Sequence, residues 1–214
     1  MTGAARMDPL YRVSWQFCRL VFRLCFRWQV EHVGRVPAEG GVILAPNHAS
    51  FLDPPLVGAA VTRPVSYLAR KSLFSFPLLG WLLRRYRCIP VDRNATAPAG
   101  LRTLLERLQA GEAVLLFPEG TRSPDGSLRP AQVGLGLLVV RSQAPVVPVR
   151  LFGTYEAWSR HRRLPRPRPV RVVFGHPLDF APQRREAASA DRARLKAIYQ
   201  EIAQVWEEAV RELS

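Results

Sequence analysis

The sequence predicts an α/β fold: a mixed, largely parallel sheet flanked by helices and preceded by an N-terminal amphipathic helix at a membrane interface. Three observations carry that expectation. Beyond Gly34, short apolar runs alternate with stretches of helical period, the pattern left by strand–helix units around a parallel sheet. Two polar clusters, at 47–53 and 117–123, each follow directly on an apolar run. In open α/β sheets the carboxyl ends of the strands face the ligand crevice, so the two turns are placed to share one site. Finally, residues 10–28 (LYRVSWQFCRLVFRLCFRW), wound at about 100° per residue, gather Arg12, Gln16, Arg19, Arg23 and Arg27 into one narrow stripe.

The rest of that helix is apolar, from Leu10 and Val13 through Trp15, Phe17 and Leu20 to Leu24, Phe26 and Trp28. A helix of this kind suits a bilayer interface, with arginines at lipid phosphates and aromatic rings among acyl chains. The competing expectation is that its apolar faces pack on the protein's own core. Residues 1–30 are accordingly read as a membrane-contact segment and 31–214 as an α/β domain closed by a C-terminal helix.

Along that domain, 41–46 (GVILAP) reads as a buried strand and 54–61 as a helix with prolines in its first turn. Residues 65–69 form the next strand. Ser72 is placed to cap a helix running towards Arg85, with a kink at Pro77. The run 86–91 (YRCIPV) follows, then Leu101, Leu104, Leu105 and Leu108 recur at helical spacing until Gly111. Residues 113–117, 146–152 and 170–174 complete the strands, and 191–213 reads as the closing amphipathic helix. The segment 160–169 (RHRRLPRPRP) is incompatible with a regular helix or a central strand. It reads either as a solvated loop or as a basic contact with anionic lipid or an acidic carrier.

Composition narrows the partners. The chain has 214 residues and a formal net charge of +14, from 31 Lys+Arg against 17 Asp+Glu. Lys71 and Lys196 are the sole lysines, so the positive charge is almost all guanidinium, the group suited to bidentate capture of phosphate. An anionic membrane surface or phosphorylated substrate is expected; nucleic acid is not, because no recognition motif accompanies the charge. Cys18, Cys25 and Cys88 are too few and too scattered for a disulfide framework or a zinc site, which points to a reducing compartment. The N-terminus has no secretory-signal pattern, and no window offers the roughly 18 uninterrupted apolar residues of a spanning helix.

The first polar cluster is NHASFLD. A spacing of five residues would set His48 and Asp53 about 140° apart on a regular helix, so contact between them requires a turn before the helix proper. In such a turn Asp53 bonds one imidazole nitrogen and leaves the other to act as a general base. The alternative is that Asp53 simply caps the helix beginning at Pro54. The second cluster is FPEGTRS. There Gly120 permits close backbone approach, Arg122 offers a planar fork for phosphate, and Glu119 is suited to accept from a substrate hydroxyl or to hold Arg122. A simple exposed ion pair is the plainer reading.

NHASFLD and FPEGTRS resemble the Asn-His-x4-Asp and Phe-Pro-Glu-Gly-Thr-Arg-Ser blocks of the glycerophospholipid acyltransferases, the family of 1-acyl-glycerol-3-phosphate acyltransferases and their relatives. CIPVDR (88–93), VVPVR (146–150) and Ala69-Arg70-Lys71-Ser72-Leu73 are similar to further blocks in the family's order. The resemblance spans roughly residues 31–175. It departs at Arg87, where the family often has glycine, and near Gln132, where it often has lysine.

The resemblance implies an O-acyltransferase that moves a fatty acyl group from acyl-CoA or acyl carrier protein to lysophosphatidate. His48 is the implied base and Asp53 its orienting partner. Arg93, Glu119, Gly120, Thr121 and Arg122 are the implied substrate-binding residues. Backbone amides near Gly120 are candidates for the oxyanion donors. Neither cofactor nor metal is implied, since a thioester is already activated, and Cys88 is expected to pack rather than to attack. The expected location is the cytoplasmic face of the membrane, peripheral or monotopic. Glycerol-3-phosphate, another lysophospholipid and an acylated amino acid are alternative acceptors. A non-catalytic basic membrane-binding module is the alternative outside this chemistry.

Overall fold

The computed structural model describes residues 7–91 and 98–214, the side chains of 98 and 99 excepted. Its centre is β2 (Val42–Pro46), flanked by β5 (Ala113–Leu115) and β6 (Val146–Phe152). Beyond β5 lie β3 (Val65–Arg70) and β4 (Cys88–Val91); beyond β6 lie β7 (Arg171–Phe174) and β1 (Gln29–Glu31). The sheet order is β1-β7-β6-β2-β5-β3-β4, and every neighbouring pair is parallel except β6 with β7. This is the mixed, largely parallel sheet expected. The carboxyl ends of β2 to β6 therefore share one edge, and the antiparallel pairing of Phe152 with Arg171 brings the start of β7 to the same edge.

All five residues of β2 are buried, which explains why it reads as a continuous apolar run. Val42 and Leu44 face a core under α1 (Pro9–Phe26) and α2 (Asp53–Ala60). Ile43 and Ala45 face a second core under α4 (Pro98–Gln109), α5 (Gly134–Ser142) and α8 (Arg192–Glu212). Asp191 caps α8, its side chain accepting from the Arg194 N–H. Trp206 of α8 is fully buried, and its indole N–H donates to the Ala45 carbonyl at 2.8 Å, tying the helix to the strand that carries the first polar cluster.

Three features differ from the sequence expectation. Lys71–Ser75 forms a short 3-10 turn, and Pro77 opens α3 (Pro77–Arg85) instead of kinking it, because a first-turn proline lacks only an N–H that would be unpaired anyway. Arg19 turns inward from the arginine stripe: its guanidinium donates to the Ala59 carbonyl at 3.0 Å, while the Trp15 indole donates to Val61 at 2.9 Å. The last carbonyls of α2 have no partner in their own helix, and α1 supplies the donors. The segment 134–142, which the sequence reading left without an element, is helical, and Gly136 permits the packing, since a Cβ there would lie 2.6 Å from the Tyr199 Cα of α8. β1, α6 (Thr154–Trp158) and α7 (Ala181–Ala187) were not expected; each is too short to show a period. β1 spans residues on both sides of position 30 and joins the segment after α1 to the sheet.

Replacing Trp206 with alanine empties a fully buried site and removes the indole bond to the Ala45 carbonyl. We expect a loss of about 3–5 kcal/mol in urea denaturation, with Trp206→Phe costing markedly less because it keeps most of the ring volume.

Candidate active site

The chain leaves β2 at its carboxyl end and turns through Asn47–Phe51 before α2 begins. Asn47 steadies the exit. Its side-chain oxygen accepts from the Leu151 N–H at 2.7 Å and its amide donates to the Leu151 carbonyl at 3.3 Å, prolonging the ladder to β6. The turn then closes on one atom. Asp53 Oδ2 accepts the N–H groups of Ala49 and Ser50, each at 2.7 Å, and lies 2.8 Å from His48 Nδ1. Asp53 is fully buried. Its carboxylate reaches back into the turn, where two N–H groups have no ladder to join, and does not cap the helix ahead of it. With a carboxylate accepting at Nδ1, that nitrogen is the donor and Nε2 is the basic one. The ring is stacked on Phe117, centroid to centroid 3.8 Å, and the side chain retains 16% exposure.

The second cluster follows β5 and interlocks with the first. The Gly120 N–H donates to the Phe117 carbonyl at 3.0 Å, at a backbone φ of +71° that favours glycine. A Cβ at Gly120 would lie 2.5 Å from Gln132 Nε2, and Gln132 is bonded to the loop through the carbonyls of Pro118 and Glu119. The Gly120 N–H is therefore committed to its own turn. Glu119 points inward and its Oε1 accepts the His48 N–H at 2.8 Å; the Ser123 N–H donates to the His48 carbonyl at 2.7 Å. One loop thus holds both backbone polar groups of His48. Thr121 is exposed on that loop. The Arg122 guanidinium carbon sits 3.6 Å from the centroid of Phe51, which leans on Trp158. Arg93 lies outside the described residues.

Glu119 is 2% exposed, and its Oε2 has no hydrogen-bond partner among the described residues. Burial pushes its carboxyl up to about 7, with the charge of Asp53 adding to the rise and the His48 N–H opposing it. Cys88 opens β4, whereas His48 follows the end of its own strand. Burial raises the Cys88 thiol to about 12, which removes it as a nucleophile near neutrality. Among the described residues no cluster of three or more His, Cys, Asp or Glu is placed to hold a metal ion.

One polar residue escaped the sequence reading. Arg150 stands in β6 with Nε and Nη1 buried and without hydrogen-bond partners among the described residues, in the field of Glu119 and Arg211. The available signal was a single arginine late in an apolar strand, within a block that had been singled out without giving it a role.

Fold and sequence together define the class. Residues 27–151 match the family model described as Acyltransferase, and the chain belongs to that family. Among individual proteins, it is similar to the 1-acyl-sn-glycerol-3-phosphate acyltransferase of Bacillus subtilis, 27% identical over 80% of this chain and 85% of that one. The 1-acyl-sn-glycerol-3-phosphate acyltransferase of Limnanthes alba is 32% identical over 70% of this chain, which spans 54% of that relative's length. The crystal structure of the 1-acyl-sn-glycerophosphate acyltransferase from Thermotoga maritima superposes with a TM-score of 0.73 at 25% identity, covering 95% of this chain and 81% of that one.

The raised Glu119 carboxyl has a consequence for stability. Between about pH 4.5 and 7 the folded protein holds a proton that the unfolded chain has released, so stability falls as pH rises through this window and levels off above it. Glu119→Gln, which keeps an acceptor for the His48 N–H, is expected to flatten that slope in urea midpoints measured from pH 4.5 to 8. An unchanged slope would show that Glu119 does not carry it.

Proposed function

We propose that the protein acylates the free hydroxyl of 1-acylglycerol-3-phosphate with the acyl group of a thioester, giving phosphatidate. The observation that carries this reading is the His48–Asp53 pair at the carboxyl edge of the sheet, locked to the 117–123 loop, in a chain similar to proteins named for that reaction. His48 Nε2 takes the hydroxyl proton as the oxygen attacks the thioester carbonyl, and the buried Asp53 carboxylate stabilises the imidazolium. Collapse of the tetrahedral intermediate breaks the carbon–sulfur bond, and the imidazolium returns its proton to the departing thiolate. Arg122, steadied over Phe51, binds the acceptor phosphate, with Arg93 as its partner from the sequence reading. Glu119 acts through the His48 peptide, whose N–H it holds.

The acceptor lies in a bilayer, and the surface of α1 suits it. Opposite the face docked on α2, Val13, Phe17, Leu20 and Leu24 form an exposed apolar ridge bordered by Arg12, Arg23 and Arg27. Phe76, Leu78 and Trp81 extend this exposed apolar surface from α3, which is tied to α1 by Tyr86 donating to the Ser14 hydroxyl and by an edge-on Tyr11–Tyr86 contact. Among the described residues no helix is long and apolar enough to cross a membrane. The exposed ridge supports a peripheral protein held in one leaflet, with the cytoplasmic face the side expected from the sequence.

The test is thiol release from palmitoyl-CoA in detergent or vesicles, with and without lysophosphatidate. His48→Ala is expected to lower acceptor-dependent release by roughly 10²–10⁴-fold, the span of a lost general base. Release that survives the substitution would remove His48 as the base, and release independent of any phosphorylated acceptor would refute the assignment. Phe17→Asp with Leu24→Asp should reduce activity far more on vesicle-borne lysophosphatidate than on a soluble short-chain acceptor. Equal losses on both would remove the docking role of α1.

A further inference from the structure

The segment following α6 carries five guanidinium groups within nine residues, on Arg160, Arg162, Arg163, Arg166 and Arg168. None of the five makes an ion pair among the described residues, and all except Arg162 are exposed. Such a concentration of like charge is destabilising in isolation unless an anion neutralises it. Pro165, Pro167 and Pro169 restrict the backbone to extended conformations, so the charges are held out from the domain instead of collapsing onto it.

The loop is anchored to both active-site turns. The Ser50 hydroxyl donates to the Trp158 carbonyl at 2.8 Å and the Phe51 N–H donates to the same carbonyl at 3.3 Å. The Tyr155 hydroxyl donates to the Pro124 carbonyl at 2.9 Å, and His161 Nε2 lies 3.2 Å from that carbonyl. The loop is closed on itself by the Trp158 indole donating to the Arg162 carbonyl and the Arg166 N–H donating to the Ala157 carbonyl. Because it joins β6 to the antiparallel β7, it rises on the β6–β7 side of His48. The exposed apolar segment 76–81 follows β3 and rises on the other side.

We propose that this Arg/Pro loop is the docking site for the nucleotide phosphates of an acyl-coenzyme A donor. The proposal rests on the acyltransferase reading above and names the donor. Alternate residues of an extended Pro-containing chain stand about 6 Å apart, a spacing that lets Arg166 and Arg168 grasp neighbouring phosphates of one nucleotide. Every charge in the loop is a guanidinium, which binds phosphate in bidentate fashion where an ammonium does not. A carrier protein would need an apolar centre to its interface, and the loop offers only Leu164. A bilayer would need the same, and that surface is supplied by α1 and α3. With the phosphates held at the rim, the pantetheine arm carries the thioester inward to His48.

The test compares wild type with the triple variant Arg163→Gln, Arg166→Gln, Arg168→Gln, all three at exposed positions. Calorimetric titration with coenzyme A and with its 3′-dephospho form reads binding without turnover. Steady-state kinetics with palmitoyl-CoA and with S-palmitoyl-pantetheine, which lacks the nucleotide, read use of the donor. In the variant the KM for palmitoyl-CoA should rise about tenfold or more with kcat within about twofold, the effect of lost charge-assisted phosphate contacts. Coenzyme A binding should weaken in step and become less sensitive to salt, while the pantetheine thioester should show no KM difference between the two proteins. Unchanged palmitoyl-CoA kinetics and coenzyme A binding would overturn the proposal. Weakened binding to phosphatidylglycerol vesicles alone would make the loop a lipid contact, and a raised KM for acyl carrier protein alone would make it a carrier contact; either also overturns it. An inactive wild type that still binds coenzyme A through these arginines would refute the acyltransferase reading and leave the docking site standing.

Discussion

The site depends on a clamp around the backbone of one residue. His48 donates its N–H to Glu119 and accepts from the Ser123 N–H, so the backbone of the imidazole is held at both ends by a loop some seventy residues later in the chain. Asp53 closes the third side, with a single oxygen gathering the Nδ1 of His48 and the N–H groups of Ala49 and Ser50. Loss of that oxygen would leave two buried N–H groups unpaired, at about 1–3 kcal/mol each, before any effect on chemistry. The same bonds that hold the turn together therefore orient the imidazole, and they are affordable only because β2 and β5 lie side by side and deliver both turns to one edge.

Around this clamp the protein retains polar groups that a purely structural core would not keep. Glu119 is almost fully buried with one oxygen unpartnered, and Arg150 presents two buried N–H groups to its neighbourhood. Buried polar atoms of this sort are disfavoured unless a ligand or a reaction uses them; Glu119 accepts the His48 N–H, and Arg150 lies in the field of Glu119. The fold compensates elsewhere through two apolar cores, one on each face of the sheet, and through α1, which donates side-chain hydrogen bonds to the end of α2 while exposing its opposite ridge. One helix thus serves the domain with one face and leaves the other, an apolar ridge, exposed.

Much of this was legible in the chain. Buried parallel strands read as unbroken apolar runs, so β2, β3, β4, β5, β6 and β7 were all marked within a residue or two, and the helical spacing over 191–213 marked α8. The polar clusters after the first and fourth of those strands stood out because side chains capable of proton transfer and phosphate binding seldom follow an apolar run without interruption. Less legible were elements whose character is set by neighbours. The stretch at 134–142 was given no element from the sequence; it is a helix that packs closely on α8 at Gly136.

What the sequence by itself determined is the alternating α/β pattern, the identity of the two polar turns and the excess of arginine, because each follows from local periodicity, local chemistry or composition. Tertiary structure alone decided which partner each polar group takes. Arg19 belongs to the end of α2 and not to the exposed arginine stripe, Asp53 looks back to the turn and not forward to its helix, and Gly120 commits its N–H to Phe117. Those choices depend on which unpaired donor or acceptor lies within about 3 Å, a distance that is settled only when strands remote in sequence are placed side by side.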